Sequence, residues 1–217
     1  MTGESNKMNY KNDVFLSYST DYPFGEWVNE MLYPLLETYL KNALFRDVKI
    51  FIDRQGISTG DSWPARLKKE LALSRCLIAV WSPSYFISNW CMNECIVMLH
   101  REQALGHRTV QNPSGLIIPI NIFDGEHFRE FTEVIQCADF KKYARTGEGF
   151  KKTERFVEFQ DTLCDFAYEV AAAIKNCPAW DPAWLGPKWL DEPIRNKQHV
   201  IERMTEIGKS CKLPVLA

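Results

Sequence analysis

The sequence predicts an α/β fold, a five-stranded parallel sheet flanked by helices, and two observations carry that expectation. Short apolar runs of strand length alternate with longer stretches of helical periodicity through about residue 175, the pattern of parallel strands joined by crossover helices. The third run, Cys-Leu-Ile-Ala-Val-Trp at 76–81, is apolar at every position, as befits a strand covered on both faces. Hydrophobic residues make up 46% of the 217-residue chain and charged residues 25%, enough apolar material to build a core and too much for a disordered chain.

Taken in order, residues 1–9 are polar and predict a flexible N-terminus. Residues 13–18, Asp-Val-Phe-Leu-Ser-Tyr, form a first strand that runs into a polar loop at 17–24. Residues 24–44 place Trp27, Met31, Leu32, Leu35, Leu36 and Leu40 at helical spacing, and Pro34 inside the segment predicts a kink or a late helix start. Val48, Ile50 and Ile52 alternate as a second strand ending at Asp53. Two glycines turn the loop at 54–60, after which Asp61 or Ser62 caps a helix to about Ser74, with Pro64 in its first turn. The third strand is followed by a loop at 82–88 and a helix at 89–104. Residues 116–122 are a fourth strand, in which Pro119 marks an edge or a bulge. A short fifth strand at 137–140 precedes an amphipathic helix at 156–174 with Phe159, Leu163, Phe166, Val170 and Ile174 on one stripe. One domain is therefore expected over residues 10–177. Residues 178–217, which begin with Trp180, Pro182, Trp184, Pro187 and Trp189, form a Pro/Trp-rich tail that packs on the domain or docks a partner.

Several function classes are excluded at once. The 26 Lys and Arg against 28 Asp and Glu leave a net charge of −2, without the positive excess of a nucleic-acid binder. No apolar run approaches the roughly 18 residues of a membrane span, and the N-terminus shows no secretory h-region. The seven cysteines lie unpaired within apolar segments and read as buried free thiols of a cytoplasmic protein. Cys91 and Cys95 alone make a weak zinc motif, and the four histidines show no ligand spacing, so no metal is expected. The lysine and arginine runs at 141–145 and 151–152 read as solvated faces.

With five parallel strands in the flavodoxin-like order 2-1-3-4-5, a ligand crevice falls at the carboxyl ends of strands one and three. The loops at stake begin at Ser17 and Ser82, and the helix starting near Asn89 points its N-terminus at the same place. No G-x-G-x-x-G follows the first strand and no G-x-x-x-x-G-K-[ST] occurs, which excludes a Rossmann dehydrogenase and a P-loop NTPase. A response regulator needs a phosphoacceptor carboxylate at the end of strand three, where this chain has Val80, Trp81 and Ser82.

Trp90 and Glu94 stand four apart and share one helical face. Glu94 is badly placed for a capping box and has no basic residue three or four positions away. Its apolar neighbours Cys91, Cys95, Ile96 and Val97 predict partial burial. A carboxylate and an indole at the mouth of the crevice suit a ligand with a sugar to hydrogen-bond and a flat ring to stack; the alternative is a structural helix acid.

Three segments resemble the boxes of the TIR (Toll/interleukin-1 receptor) domain. Tyr10-Lys-Asn-Asp-Val-Phe-Leu-Ser-Tyr-Ser19 is similar to the first box. Phe51-Ile-Asp-Arg-Gln-Gly-Ile-Ser-Thr-Gly-Asp-Ser-Trp63 is similar to the BB-loop and its entry into the next helix. Residues 74–94 are similar to the third strand and the helix after it. The resemblance covers about residues 10–140 and implies the flavodoxin-like TIR fold. It further implies an NAD-cleaving enzyme, an NAD+ glycohydrolase or cyclase of the ADP-ribosyl cyclase type. NAD is the substrate, and no cofactor is called for. Enzymatic members keep a glutamate where this chain has Glu94, which the resemblance makes the catalytic carboxylate, with Trp90 stacking on the substrate. Ser17, Tyr18, Ser19, Asp53, Arg54 and Ser82 become substrate-binding candidates; on residue type alone Ser17 and Ser19 are strand-end hydrogen-bonders, Asp53 a strand-end acid and Arg54 a loop cation. The chain is similar to standalone bacterial TIR proteins of anti-phage defence. That likeness implies a linear, cyclic or conjugated ADP-ribose product read by a separate effector, and a homo-oligomer formed through TIR–TIR contacts. Two other readings stand beside it. One is a non-catalytic scaffold or adaptor acting through its BB-loop, against which Ser58 replaces the usual proline. The other is a nucleoside deoxyribosyltransferase-like enzyme.

Overall fold

The computed structural model describes residues 9–52, 65–109, 111–124 and 135–186. Its sheet has five parallel strands in the order β2-β1-β3-β4-β5, as the sequence predicts. The strands are β1 (Asn12–Ser17), β2 (Ile50–Ile52), β3 (Ser74–Trp81), β4 (Ile117–Asn121) and β5 (Ala138–Asp139). The helices are α1 (Phe24–Trp27), α2 (Tyr33–Leu44), α3 (Ala65–Ala72), α4 (Pro83–Ile87), α5 (Asn89–Ala104), α6 (Glu148–Lys151) and α7 (Glu154–Asn176).

Strand parity sorts the side chains between two cores. Val14 and Leu16 of β1 and Cys76, Ile78 and Val80 of β3 face α2 and α7, where they meet Leu36, Leu40, Phe159 and Phe166. Phe15 and Leu77, Ala79 and Trp81 face the other way, onto Leu71, Tyr85, Met98 and Leu99. Ser17 shares the parity of Phe15, so β1 presents its last hydroxyl to the α4–α5 side. Both faces of β1 and β3 are thus filled, which removes them from water at about 25 cal/mol per Å² of apolar area.

Of four local features, two realise one of the alternatives the sequence offers, a late helix start at Pro34 and a locally unpaired edge at Pro119, and two depart from expectation. The helix over 24–44 is broken by a π-helical turn at Val28–Leu32, with Pro34 in the first turn of α2. An unbroken α-helix would drive the Pro34 ring into the Glu30 carbonyl and leave that carbonyl without a donor, and a widened turn relieves the clash. Residues 82–88 are not a plain loop but contain α4, because the Ser82 hydroxyl accepts the Tyr85 amide at 3.2 Å and Pro83 sits in the first turn. Pro119 creates no bulge: it pairs in register with Ala79. Leu116 and Ile122 bond toward β3 while Asn121 bonds toward β5, so alternation points the missing Pro119 amide at β5, whose ladder begins only at Ile120. The cysteines are free, but only Cys76, Cys91 and Cys95 are buried; Cys137, Cys164 and Cys177 are half-buried, and Cys211 lies outside the described residues. The predicted caps Asp61 and Ser62 also lie outside them.

The first part of the tail packs back onto the domain. Trp180 donates its indole N–H to the Ala72 carbonyl at 3.0 Å, and Trp184 is buried with the Arg101 guanidinium 5.4 Å from its ring. Asp181 caps the short 3₁₀ turn Pro182–Leu185, which carries Trp184. Residues 187–217 lie outside the described part.

Candidate functional site

A cavity of about 320 Å³ opens at the carboxyl end of β1, walled by the helices that follow β3. Ser17, Tyr18, Ser19 and Asp21 supply one wall, and Ile87, Trp90 and Glu94 face them from α4 and α5. The crevice expected from strand order is therefore present. Its position follows from chain connection: β1 is followed by a polar loop instead of a tight turn, and α5 starts where β3 and α4 end.

Glu94 is 7% exposed and is held from across the site. The Ser17 hydroxyl donates to Glu94 Oε2 at 2.5 Å, a charge-assisted bond of the short kind when the carboxylate is ionised. Ser17 Oγ also lies 3.1 Å from the Tyr85 hydroxyl, which is 3.2 Å from the Cys91 carbonyl oxygen. Burial pushes the Tyr85 pKa well above its ordinary value, with nearby Cys95, Cys91 and Glu94 adding to it, so this phenol keeps its proton. Burial likewise raises Cys91, with Glu94 second, and carries Cys95 to about 12. Both thiols are neutral near pH 7 and serve as packing, not as nucleophiles. Among the described residues no group of three or more His, Cys, Asp or Glu could hold a metal ion, and no helix is long and apolar enough to cross a membrane.

Trp90 is half-buried one turn before Glu94 and joins the same wall, so the shared helical face read from the sequence opens onto the cavity. The helix begins at the site: Ser88 caps α5 by accepting the Cys91 amide at 3.4 Å. Tyr18 borders the cavity, but its hydroxyl accepts an N–H of Asn29 at 3.1 Å and its body is buried. Ser19 also borders the cavity, where its hydroxyl accepts the Asp21 amide at 3.3 Å. Ser82 does not reach the lining; its side chain caps α4 and contacts Ser84 at 3.0 Å. Asp53 and Arg54 lie outside the described residues.

Sequence reading missed Tyr85 and Ile87. Tyr85 looked like one aromatic of a loop, and only the Ser82 cap, a Ser-Pro pair at the end of an apolar strand, signals the short helix that turns it inward. Ile87 is 79% exposed at the rim, a position that no periodicity marks. In chemical terms the cavity offers a fixed carboxylate, a hydroxyl bound to it and an indole. That set can hold a sugar hydroxyl, favour positive charge and stack a ring.

A family model for the TIR domain matches residues 14–153, well over half of the chain. No curated protein matches it. Among solved structures, the TIR domains of the activated Roq1 resistosome, which directly recognizes the pathogen effector XopQ, are 18% identical, with a TM-score of 0.36 over 90% of this chain and 98% of that one.

Proposed function

The chain belongs to the TIR domain family, and on that premise we propose that its cavity cleaves NAD at the nicotinamide–ribose bond. The observation that carries the reading is the placement of Glu94, a buried carboxylate on a cavity wall, one helical turn from an indole on the same wall. In cleavage the C1′–N bond breaks, its electron pair leaves with the nicotinamide nitrogen, and positive charge develops on the ribose ring. Nicotinamide departs neutral without taking a proton, so a second carboxylate acting as general acid is not required, unlike ordinary glycoside hydrolysis. Glu94 accepts a ribose hydroxyl and stabilises the oxocarbenium-like charge. Trp90 stacks on a ring of the substrate.

Water attacking C1′ gives ADP-ribose and releases one proton to solvent. Attack by a ring nitrogen of the adenine gives a cyclic isomer, and a different nucleophile gives a conjugate. Resemblance to standalone bacterial TIR proteins of anti-phage defence favours a cyclised or conjugated signal made in the cytoplasm for a separate effector. A cavity of about 320 Å³, near the low end for small-molecule sites, takes the nicotinamide riboside end and leaves the adenylate half to be held by a second chain. A scaffold that works through Arg54–Trp63 contacts is the second reading, and it has no use for Glu94.

The test is chromatography of NAD incubated with concentrated protein. Wild type releases nicotinamide and Glu94→Gln, which keeps the shape and loses the charge, does not. Equal release by both proteins would remove Glu94 from the chemistry, and turnover of deoxynucleosides instead of NAD would favour a deoxyribosyltransferase.

A further inference from the structure

We propose that Ser17 and Tyr85 are positioning residues for Glu94, two hydroxyls in series that hold its carboxylate and set the pH at which it ionises. The catalytic consequence rests on the NAD-cleaving reading above; the relay itself rests on geometry alone.

The Ser17 hydroxyl carries one proton and has two oxygen neighbours, Glu94 Oε2 at 2.5 Å and the Tyr85 hydroxyl at 3.1 Å. The bond to an ionised carboxylate is the stronger of the two, so it takes the proton. Tyr85 keeps its own proton, as its raised pKa requires, and donates it to the Cys91 carbonyl at 3.2 Å. When Glu94 takes up a proton its link to Ser17 reverses, and Ser17 turns its proton to the Tyr85 oxygen 3.1 Å away. Glu94 donates to Ser17, Ser17 to Tyr85, and Tyr85 to the Cys91 carbonyl. In either state no hydroxyl proton lacks an acceptor, so the row serves both forms of the acid without moving a heavy atom.

The relay crosses three elements, which makes it a positioning device. Ser17 ends β1, Tyr85 lies in α4 with its ring fully buried against Phe86, and Glu94 lies in α5. The hydroxyl row ties the carboxylate to the sheet, not only to its own helix. Other titratable groups facing Glu94 are Cys91 and Cys95 on α5, and Tyr18 and Asp21 across the cavity; α3 contributes only Leu67. Both thiols are neutral in the acid range, and among the described residues Asp21 is the other carboxylate on the cavity wall.

A donor to the charged form lowers a carboxylate's pKa, and losing it raises that pKa. The direct readout is the carboxyl carbon resonance of Glu94 in ¹³C-glutamate-labelled protein, assigned by its loss in Glu94→Gln and followed against pH. Ser17→Ala raises the midpoint by about one pH unit or more, the size expected for a hydrogen bond to a charged group. Tyr85→Phe, which keeps the buried ring but removes the acceptor that Ser17 uses when Glu94 is protonated, lowers it by a smaller amount, while Ser17→Thr and Asp21→Asn leave it within about 0.3 unit of wild type. The acid limb of kcat/KM for nicotinamide release moves by the same amounts. Midpoints unchanged in both Ser17→Ala and Tyr85→Phe would overturn the relay, and a shift in Ser17→Ala alone would remove Tyr85 from it. A shifted midpoint in a protein that releases no nicotinamide would uphold the relay and overturn the NAD reading. Release with unshifted midpoints would do the opposite.

Discussion

Arg108 lays its guanidinium across both carboxylate oxygens of Glu102, at 2.6 Å and 3.0 Å, while the same carboxylate accepts the amides of Leu116 and Ile117. Glu102 is 1% exposed and lies two turns beyond Glu94 on α5, so the far end of the helix that carries the site is clamped to the start of β4. A Cβ at Gly115 would collide with that guanidinium. Removing the carboxylate takes the ion partner from the half-buried Arg108, which keeps only the Ile117 carbonyl among these contacts, and the acceptor from two buried amides. Glu102→Ala therefore lowers unfolding free energy by about 3–5 kcal/mol in urea titrations. A loss under about 1 kcal/mol would mean that the clamp contributes little.

A second buried acid governs the response to low pH. Asp13 is held by both terminal nitrogens of Arg46, at 2.8 Å and 2.6 Å, and by the Lys49 amide at 3.1 Å. Burial alone raises its pKa, but these bonds and the nearby Arg75 outweigh burial and leave it below the ordinary value. A depressed carboxylate pKa stabilises the fold above the unfolded-state value of about 3.9, and that contribution is lost as pH falls through the lower folded-state value. Urea midpoints of wild type accordingly fall below about pH 4, and Asp13→Asn shows a flatter profile. Parallel profiles would assign the acid sensitivity to other groups.

Trp184 tests the fate of the Pro/Trp-rich segment. Its ring is buried and lies over Arg101, so Trp184→Ala costs about 3 kcal/mol of stability. Nicotinamide release measured well below the melting temperature stays at the wild-type rate, because the cavity wall holds neither residue. A variant as stable as wild type would show that this indole is free to serve a partner instead.

β1, β3 and the shared Trp90–Glu94 face were legible in the chain because each rests on a short-range pattern, a strand-length apolar run for β1 and β3 and helical spacing for α5, and strand order followed from the flavodoxin-like fold that the alternation of strands and helices implies. The same reading failed where the cause is long-range or stereochemical. Nothing local to Glu94 names Ser17, seventy-seven positions away, although the parity that sends Phe15 toward α5 sends Ser17 there too. The sequence places the break at Pro34 but not its π-helical form, which depends on a clash with a single carbonyl. Arg101 and Glu102 look like the polar face of α5, yet both are buried, because their partners Ser74, Tyr10, Leu116 and Ile117 come from other segments. Ser82 lies off the cavity lining for a simpler reason: helix capping engages its hydroxyl.

If the cavity holds only one end of the dinucleotide, turnover per chain depends on assembly. Specific activity then rises with protein concentration across a wide dilution series, and Gly60→Pro, in the glycine-containing segment that follows β2 in sequence, reduces it. Constant turnover per chain on dilution, with a fully active variant, would mean that one chain owns the entire site.

The central claim, that Glu94 drives cleavage of the nicotinamide–ribose bond, is met most directly by mass spectrometry of NAD incubated in ¹⁸O-water with concentrated wild type and Glu94→Gln. The account predicts nicotinamide appearing in step with NAD loss in wild type only. Its partner product is ADP-ribose carrying one ¹⁸O if water attacks, or an unlabelled cyclic or conjugated ADP-ribose if another nucleophile does. Intact NAD with wild type at concentrations where the protein is assembled, or the same products from Glu94→Gln, would contradict it.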